Sequence, residues 1–94
     1  MAVDFIVLAE HIRLYHSGRI NAITARNLRQ FGTPRDIRHL VNAARKDGFR
    51  ICSGNSGYFY SKNPEDLNHT INRLESQIRE QLEIVQALKK SKWG

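Results

Sequence analysis

Residues 23–63 read ITARNLRQFGTPRDIRHLVNAARKDGFRICSGNSGYFYSKN, and the order of start and stop signals along this stretch decides the fold. Thr33-Pro34-Arg35-Asp36 opens a helix with a hydroxyl cap, a proline at the first helical position and an acid three residues past the cap. Gly48 follows Asp47 as a stop signal, so the spacing predicts a helix over 34–47. Upstream, Thr24 caps a shorter helix reaching about Phe31, with Leu28 and Phe31 facing inward. Gly32 permits the left-handed backbone that a tight turn between the two helices needs. Downstream, Phe49-Arg50-Ile51-Cys52-Ser53 alternates as a half-buried strand, Gly54-Asn55-Ser56-Gly57 turns, and Tyr58-Phe59-Tyr60 returns.

On the N-terminal side, Asp4 caps a first helix that ends near Ser17, before Gly18. Phe5, Leu8, Ile12 and Tyr15 recur at helical spacing and mark its buried stripe. Arg19 to Ile23 is too short for a helix and is expected to form a small strand pairing with the hairpin. On the C-terminal side, Asn63-Pro64-Glu65-Asp66 opens a last helix with a cap, a first-turn proline and two acids suited to the helix dipole. It runs to about Ser91, roughly 42 Å at 1.5 Å per residue. The expected fold class is therefore mainly α with a small β-hairpin, organised as a domain over 1–63 and a long amphipathic helix over 64–94.

The net charge is +6, and its distribution is uneven. Residues 1–48 hold eight Arg and Lys against four Asp and Glu, residues 49–63 add Arg50 and Lys62 with no acid, and residues 64–94 balance five against five. An excess confined to the first two thirds suits a domain that meets a polyanion, followed by a neutral helix that assembles. Cys52 is the single cysteine, which rules out a disulfide within the chain, and no Cys/His spacing resembles a zinc site. The longest apolar run, Phe5 to Ala9, is far too short to span a bilayer, and no signal peptide is evident. A cytoplasmic chain with no membrane contact is expected. No activated nucleophile, carboxylate pair, phosphate loop, cofactor motif or metal constellation is present, so an enzyme is not expected.

On a wheel of 100° per residue, Ile37, Leu40, Val41 and Ala44 of helix 34–47 share one stripe and must face the core. Opposite lie Arg35, His39, Asn42 and Lys46, while Arg38 and Arg45 share one flank and Asp36, Ala43 and Asp47 the other. Arginine suits the O6 and N7 acceptors of guanine and asparagine suits adenine, so the central four are the candidates for base edges. Arg38 and Arg45 are better placed for phosphates, which fix register without reading sequence. Arg26, Arg29 and Thr33 on the preceding segment, and Arg50, Asn55, Ser56 and Lys62 on the hairpin, are further candidates for the backbone. Glycines at the hairpin tip allow its main chain to approach phosphates closely.

The last helix carries a heptad. Ile71, Ile78 and Val85 occupy one seam position, and Leu67, Leu74, Gln81 and Leu88 the other, with Leu82 broadening the stripe. β-Branched residues at the first position and leucine at the second favour a two-stranded coil. Leu67, Ile71, Leu74, Ile78, Leu82, Val85 and Leu88 are thus the candidate dimerisation residues. The alternative is a helix folded back on its own domain.

The order helix, short strand, helix, turn, helix, hairpin resembles the winged helix-turn-helix superfamily, and residues 20–60 look most like the small winged-helix proteins of phages and prophages. The matching pieces are Ile23-Thr24-Ala25-Arg26, Arg35-Asp36-Ile37-Arg38, Arg45-Lys46-Asp47-Gly48 leading into Ile51-Cys52-Ser53, and Gly57-Tyr58-Phe59 as the wing's return. Leu28 to Thr33 is shorter than that pattern, and Arg29 stands where a small residue normally packs. Either the turn is tightened or the two helices cross differently. The resemblance implies a sequence-specific binder of double-stranded DNA, without cofactors, acting as a homodimer: a transcriptional regulator, or an accessory factor in phage recombination or replication. Another function class fits the same pattern: a winged-helix module that binds a protein partner, such as a phage-encoded inhibitor or assembly adaptor. RNA binding is a weaker third, since the aromatics are not arranged as a stacking sheet.

Overall fold

The computed structural model describes residues 4–91. Three α-helices and one two-stranded antiparallel hairpin make up its regular elements: α1 (Phe5–Tyr15), α2 (Pro34–Lys46), β1 (Ile51–Gly54), β2 (Gly57–Tyr60) and α3 (Pro64–Lys90). The chain is mainly helical, and no helix among the described residues is long and apolar enough to cross a membrane.

α1 begins as its cap dictates, with the Asp4 carboxylate accepting from the Ile6 N–H at 2.9 Å. It ends at Tyr15, two residues earlier than expected, because His16 leaves helical geometry and Gly18 turns at a φ of 83°. The buried stripe is Leu8, Ala9 and Ile12, with Phe5 half-buried. Tyr15 does not belong to it and is exposed, stacking on His11 at 5.0 Å instead.

Two expectations for residues 19–31 are overturned. Arg19–Asn21 forms a 3-10 turn rather than a strand, and the pairing with the hairpin survives only as single bridges from Ser17 to Tyr60 and from Ile23 to Tyr58. The expected helix over 24–31 is instead two successive 3-10 turns, Ala25–Asn27 and Arg29–Phe31, broken at Leu28 (φ −111°, ψ 34°). The apolar positions Ala25, Leu28 and Phe31 recur every third residue, which is the 3-10 period. That winding puts all three on the core side, with Leu28 fully buried. The Thr24 side chain makes no cap bond, and a helix this short has little stability of its own.

α2 forms as expected and ends one residue earlier, at Lys46. The Thr33 hydroxyl accepts from the Asp36 N–H at 3.2 Å, and the Asp36 carboxylate accepts from the Thr33 N–H at 3.0 Å, a complete capping box. Hydrogen bonding from Thr33, its backbone N–H first and its side chain second, holds the Asp36 carboxyl below its ordinary value. Ile37, Val41 and Ala44 enter the core, with Leu40 packed against its edge.

β1 starts at Ile51, because Phe49 and Arg50 lie outside the ladder. The ladder pairs Ile51 with Tyr60, Cys52 with Phe59, Ser53 with Tyr58 and Gly54 with Gly57. Both hairpin edges are covered, so no open edge invites another strand. Ile23 and Tyr58 exchange bonds of 2.8 and 2.7 Å on one edge. On the other, the Ser53 N–H donates to the Thr70 hydroxyl of α3 at 3.3 Å. α3 is capped by Asn63, whose side chain accepts from the Asp66 N–H at 2.9 Å. Its Thr70 is buried against the domain, whereas every residue from Ile71 to Ser91 is exposed. The helix leaves the domain as an arm, which accounts for the 54 Å long axis of the molecule.

Candidate nucleic-acid interface

The outward side of α2 presents Arg35, His39, Asn42 and Lys46 to solvent, as its wheel requires, with Arg38 exposed on the adjoining flank. Asn42, Arg38 and Arg45 also turn toward an open groove of about 520 Å³ between α2, the hairpin and α3. Asn55 of the hairpin also lines it. Among the candidate base readers only Asn42 belongs to this groove; Arg35, His39 and Lys46 lie beyond it.

Arg45, expected at phosphates, also makes bonds within the domain. Its Nε donates to the Ile51 carbonyl at 2.9 Å and its Nη2 donates to the Ser53 hydroxyl at 3.2 Å. The side chain braces the end of α2 against β1. Burial pushes the guanidinium below its ordinary value, and the neighbouring positive charge of Arg73 acts in the same direction.

The remaining candidates fall into two further places. Arg26, Arg29 and Thr33 meet at the start of α2 around an open hollow of about 600 Å³. The Asp36 carboxylate stands in that hollow, and the Thr33 hydroxyl is engaged in the capping box. Arg50 and Lys62 lie at the base of the hairpin beside the first turn of α3, away from its tip. Arg50 sits over the Tyr60 ring, 5.4 Å from its centre, in cation–π geometry. Asn55 and Ser56 alone occupy the exposed tip.

Sequence reasoning missed Arg73 and Gln77. Both line the groove from α3, and the Arg73 Nη1 donates to the Ser53 carbonyl at 3.4 Å. Thr70, Arg73 and Gln77 follow at intervals of three and four along one flank. The flank has no mark of its own in the sequence and is recognised only through the contact of Thr70 with Ser53.

The candidate dimerisation residues divide. Leu67, Ile71 and Leu74 line a hollow of about 280 Å³ together with Phe49 and Ile51 of the same chain. Ile78, Leu82, Val85 and Leu88 stand free on the arm, between 45% and 67% exposed.

One cluster lies apart from these surfaces. His11 packs against Tyr15, His16 and Phe31 with ring centres 5.0, 5.3 and 5.2 Å away. Burial first, and repulsion from His16 second, lower its pKa below the ordinary 6.5. The folded chain therefore binds fewer protons at this site than the unfolded chain does. The stabilising contribution of neutral His11 is complete above 6.5 and is lost as pH falls through the lowered folded value. Urea denaturation between pH 8 and pH 5 should give a falling midpoint below about 6.5, and a His11→Gln variant should show a flatter dependence.

Among the described residues, no group of three or more His, Cys, Asp or Glu side chains is placed to hold a metal ion. Comparison with protein-family models, with curated proteins and with solved structures finds no match to this chain.

Proposed function

We propose that the chain binds double-stranded DNA without enzymatic activity, as a variant of the winged helix-turn-helix architecture in which two 3-10 turns replace the helix before α2. On this reading α2 enters the major groove, the hairpin is the wing, and α3 joins two copies. The observation that carries it is the pairing of an exposed Arg35–His39–Asn42–Lys46 face with an adjoining groove that holds Arg38, Arg45 and Arg73 and no carboxylate. Uncompensated guanidinium groups beside amide side chains match what phosphates and base edges offer. A transcriptional regulator and an accessory factor of phage recombination or replication both fit.

A titration of random duplex over varied salt tests the reading. Non-specific affinity in the micromolar range that falls steeply with salt is expected. On a duplex selected from a random library, Arg35→Ala and Asn42→Ala should each lose about 1–3 kcal/mol and relax base preference. Unchanged binding in both variants removes α2 from the interface.

The free apolar stripe of α3 favours a second reading, a module that engages a protein partner through Ile78, Leu82, Val85 and Leu88. Salt-insensitive or absent duplex binding, with α3 required for capture of a defined partner, would decide for it.

A further inference from the structure

We propose that the groove between α2, the hairpin and α3 is a phosphate-binding site, and that α3 supplies its far wall through Arg73 and Gln77. This takes α3 beyond assembly: the half of it nearer the domain would hold the ligand that α2 reads. The proposal rests on the DNA-binding reading for the source of the phosphate, a backbone phosphodiester, and not for the site itself.

The charge balance of the groove is the first ground. Among the described residues, Arg38, Arg45 and Arg73 line it, and no Asp or Glu does. Both ion pairs among the described residues, Arg13 with Glu10 and Arg19 with Asp66, lie elsewhere. Arg45 and Arg73 are each held by neutral oxygens only: the Ile51 carbonyl and Ser53 hydroxyl for one, the Ser53 carbonyl for the other. Those bonds fix where the guanidinium groups stand without cancelling their charge. Arg73 uses one of its five donors in this way. Burial is the main cause of the depressed Arg45 guanidinium; repulsion from Arg73 adds to it, and an anion between the two relieves that repulsion.

The second ground is the neutral complement. Asn42, Gln77 and Asn55 add amide donors around the three cations, so a phosphate can be met by both charge-assisted and neutral hydrogen bonds. Opposite walls come from α2 and α3, and Ser53 ties the walls together. The groove is open to solvent and is not an enclosed chamber. That shape suits a strand passing through better than a small molecule held on every side.

The test uses the full chain, with Arg73→Gln, Arg73→Lys and Gln77→Ala, and with Arg79→Ala as the control from a position on α3 outside the groove. Affinity for a random duplex is measured over a range of salt, and pyrophosphate is titrated separately while amide and side-chain resonances are followed. Arg73→Gln should weaken duplex binding about tenfold and reduce the log–log salt slope by about 0.9. Arg73→Lys should restore the slope, Gln77→Ala should weaken binding without changing it, and Arg79→Ala should change neither. A purely structural Arg73 would lower the melting temperature and leave the slope alone, so slope and melting are read together.

The outcomes separate the claims. Loss of slope in Arg73→Gln with the duplex supports the site and its backbone source. Saturable pyrophosphate binding that needs Arg73, with no duplex binding by the wild type, keeps the site, assigns it to a free phosphate and ends the DNA reading. Duplex binding with the same slope in Arg73→Gln as in the wild type overturns the site while the DNA reading stands. No response to either probe overturns both.

Discussion

Gly57→Ala is expected to destabilise the domain by about 2–4 kcal/mol and to lower its melting temperature by about 10 °C or more. Gly57 has a φ of 113°, a region that side chains with a β-carbon rarely enter. Space is the second obstacle. A β-carbon there would stand far inside contact with the Ile23 carbonyl oxygen and 2.7 Å from the Thr24 nitrogen. These are main-chain atoms and cannot rotate away. The Ile23 oxygen also belongs to the bridge in which Ile23 and Tyr58 exchange two hydrogen bonds, so relief of the clash breaks the attachment of the hairpin. The control sits across the ladder. Gly54 pairs with Gly57, yet a β-carbon on it meets nothing within 4 Å. Gly54→Ala should be close to neutral. Chemical denaturation of the two variants side by side checks the contrast, and equal stabilities would contradict the account of the Gly57 turn.

On the proposal that α3 joins two copies, Ile78→Asp combined with Val85→Asp is expected to convert the dimer into a monomer while leaving the domain folded. Both side chains stand free on the arm, 65% and 45% exposed, and touch no core residue. Light scattering should fall from twice the chain mass to the chain mass of 10.9 kDa. If two copies bind together, the loss on a duplex with two half-sites about 34 Å apart should reach about 10²–10⁴-fold, because the second contact ceases to be intramolecular. Binding to a single half-site should hardly change. Helical content should also drop, since a solvated single arm has little besides its own hydrogen bonds to hold it. A wild-type chain that is already monomeric would end the dimer proposal.

How much was legible in the sequence depends on the range of the interactions involved. α2 was legible because Thr33, Pro34 and Asp36 act on one another within four residues, and the capping box forms as those letters imply. The segment before it was not. Ala25, Leu28 and Phe31 at intervals of three serve a helix and a 3-10 turn equally, and only packing against α1 and α2 decides between them. Tyr15 fitted the stripe of α1 by spacing, but the helix ends there and the ring turns to His11. For the candidate site, the exposed face of α2 followed from its wheel alone. The bracing role of Arg45 did not, because it requires the Ile51 carbonyl to lie beside α2 in space. Arg73 was invisible for the same reason at longer range. Its position follows from the contact between Ser53 and Thr70, seventeen residues apart, and nothing local to α3 announces it.

Ser53 and Tyr58 face each other across the hairpin, and each spends its outward main-chain groups on a different neighbour. Tyr58 holds Ile23, just ahead of the 3-10 turns, and Ser53 holds Thr70 and Arg73 at the root of the arm. A single line of hydrogen bonds thus crosses the molecule from the approach to α2 to the base of α3. From Thr70 the arm runs on to Lys90, about 30 Å at 1.5 Å per residue. A tilt of ten degrees at the root carries its far end roughly 5 Å over that length. The hairpin is in this sense the fulcrum of a lever, and in the proposed dimer its stiffness would set the angular tolerance with which two such arms bring their α2 helices into register.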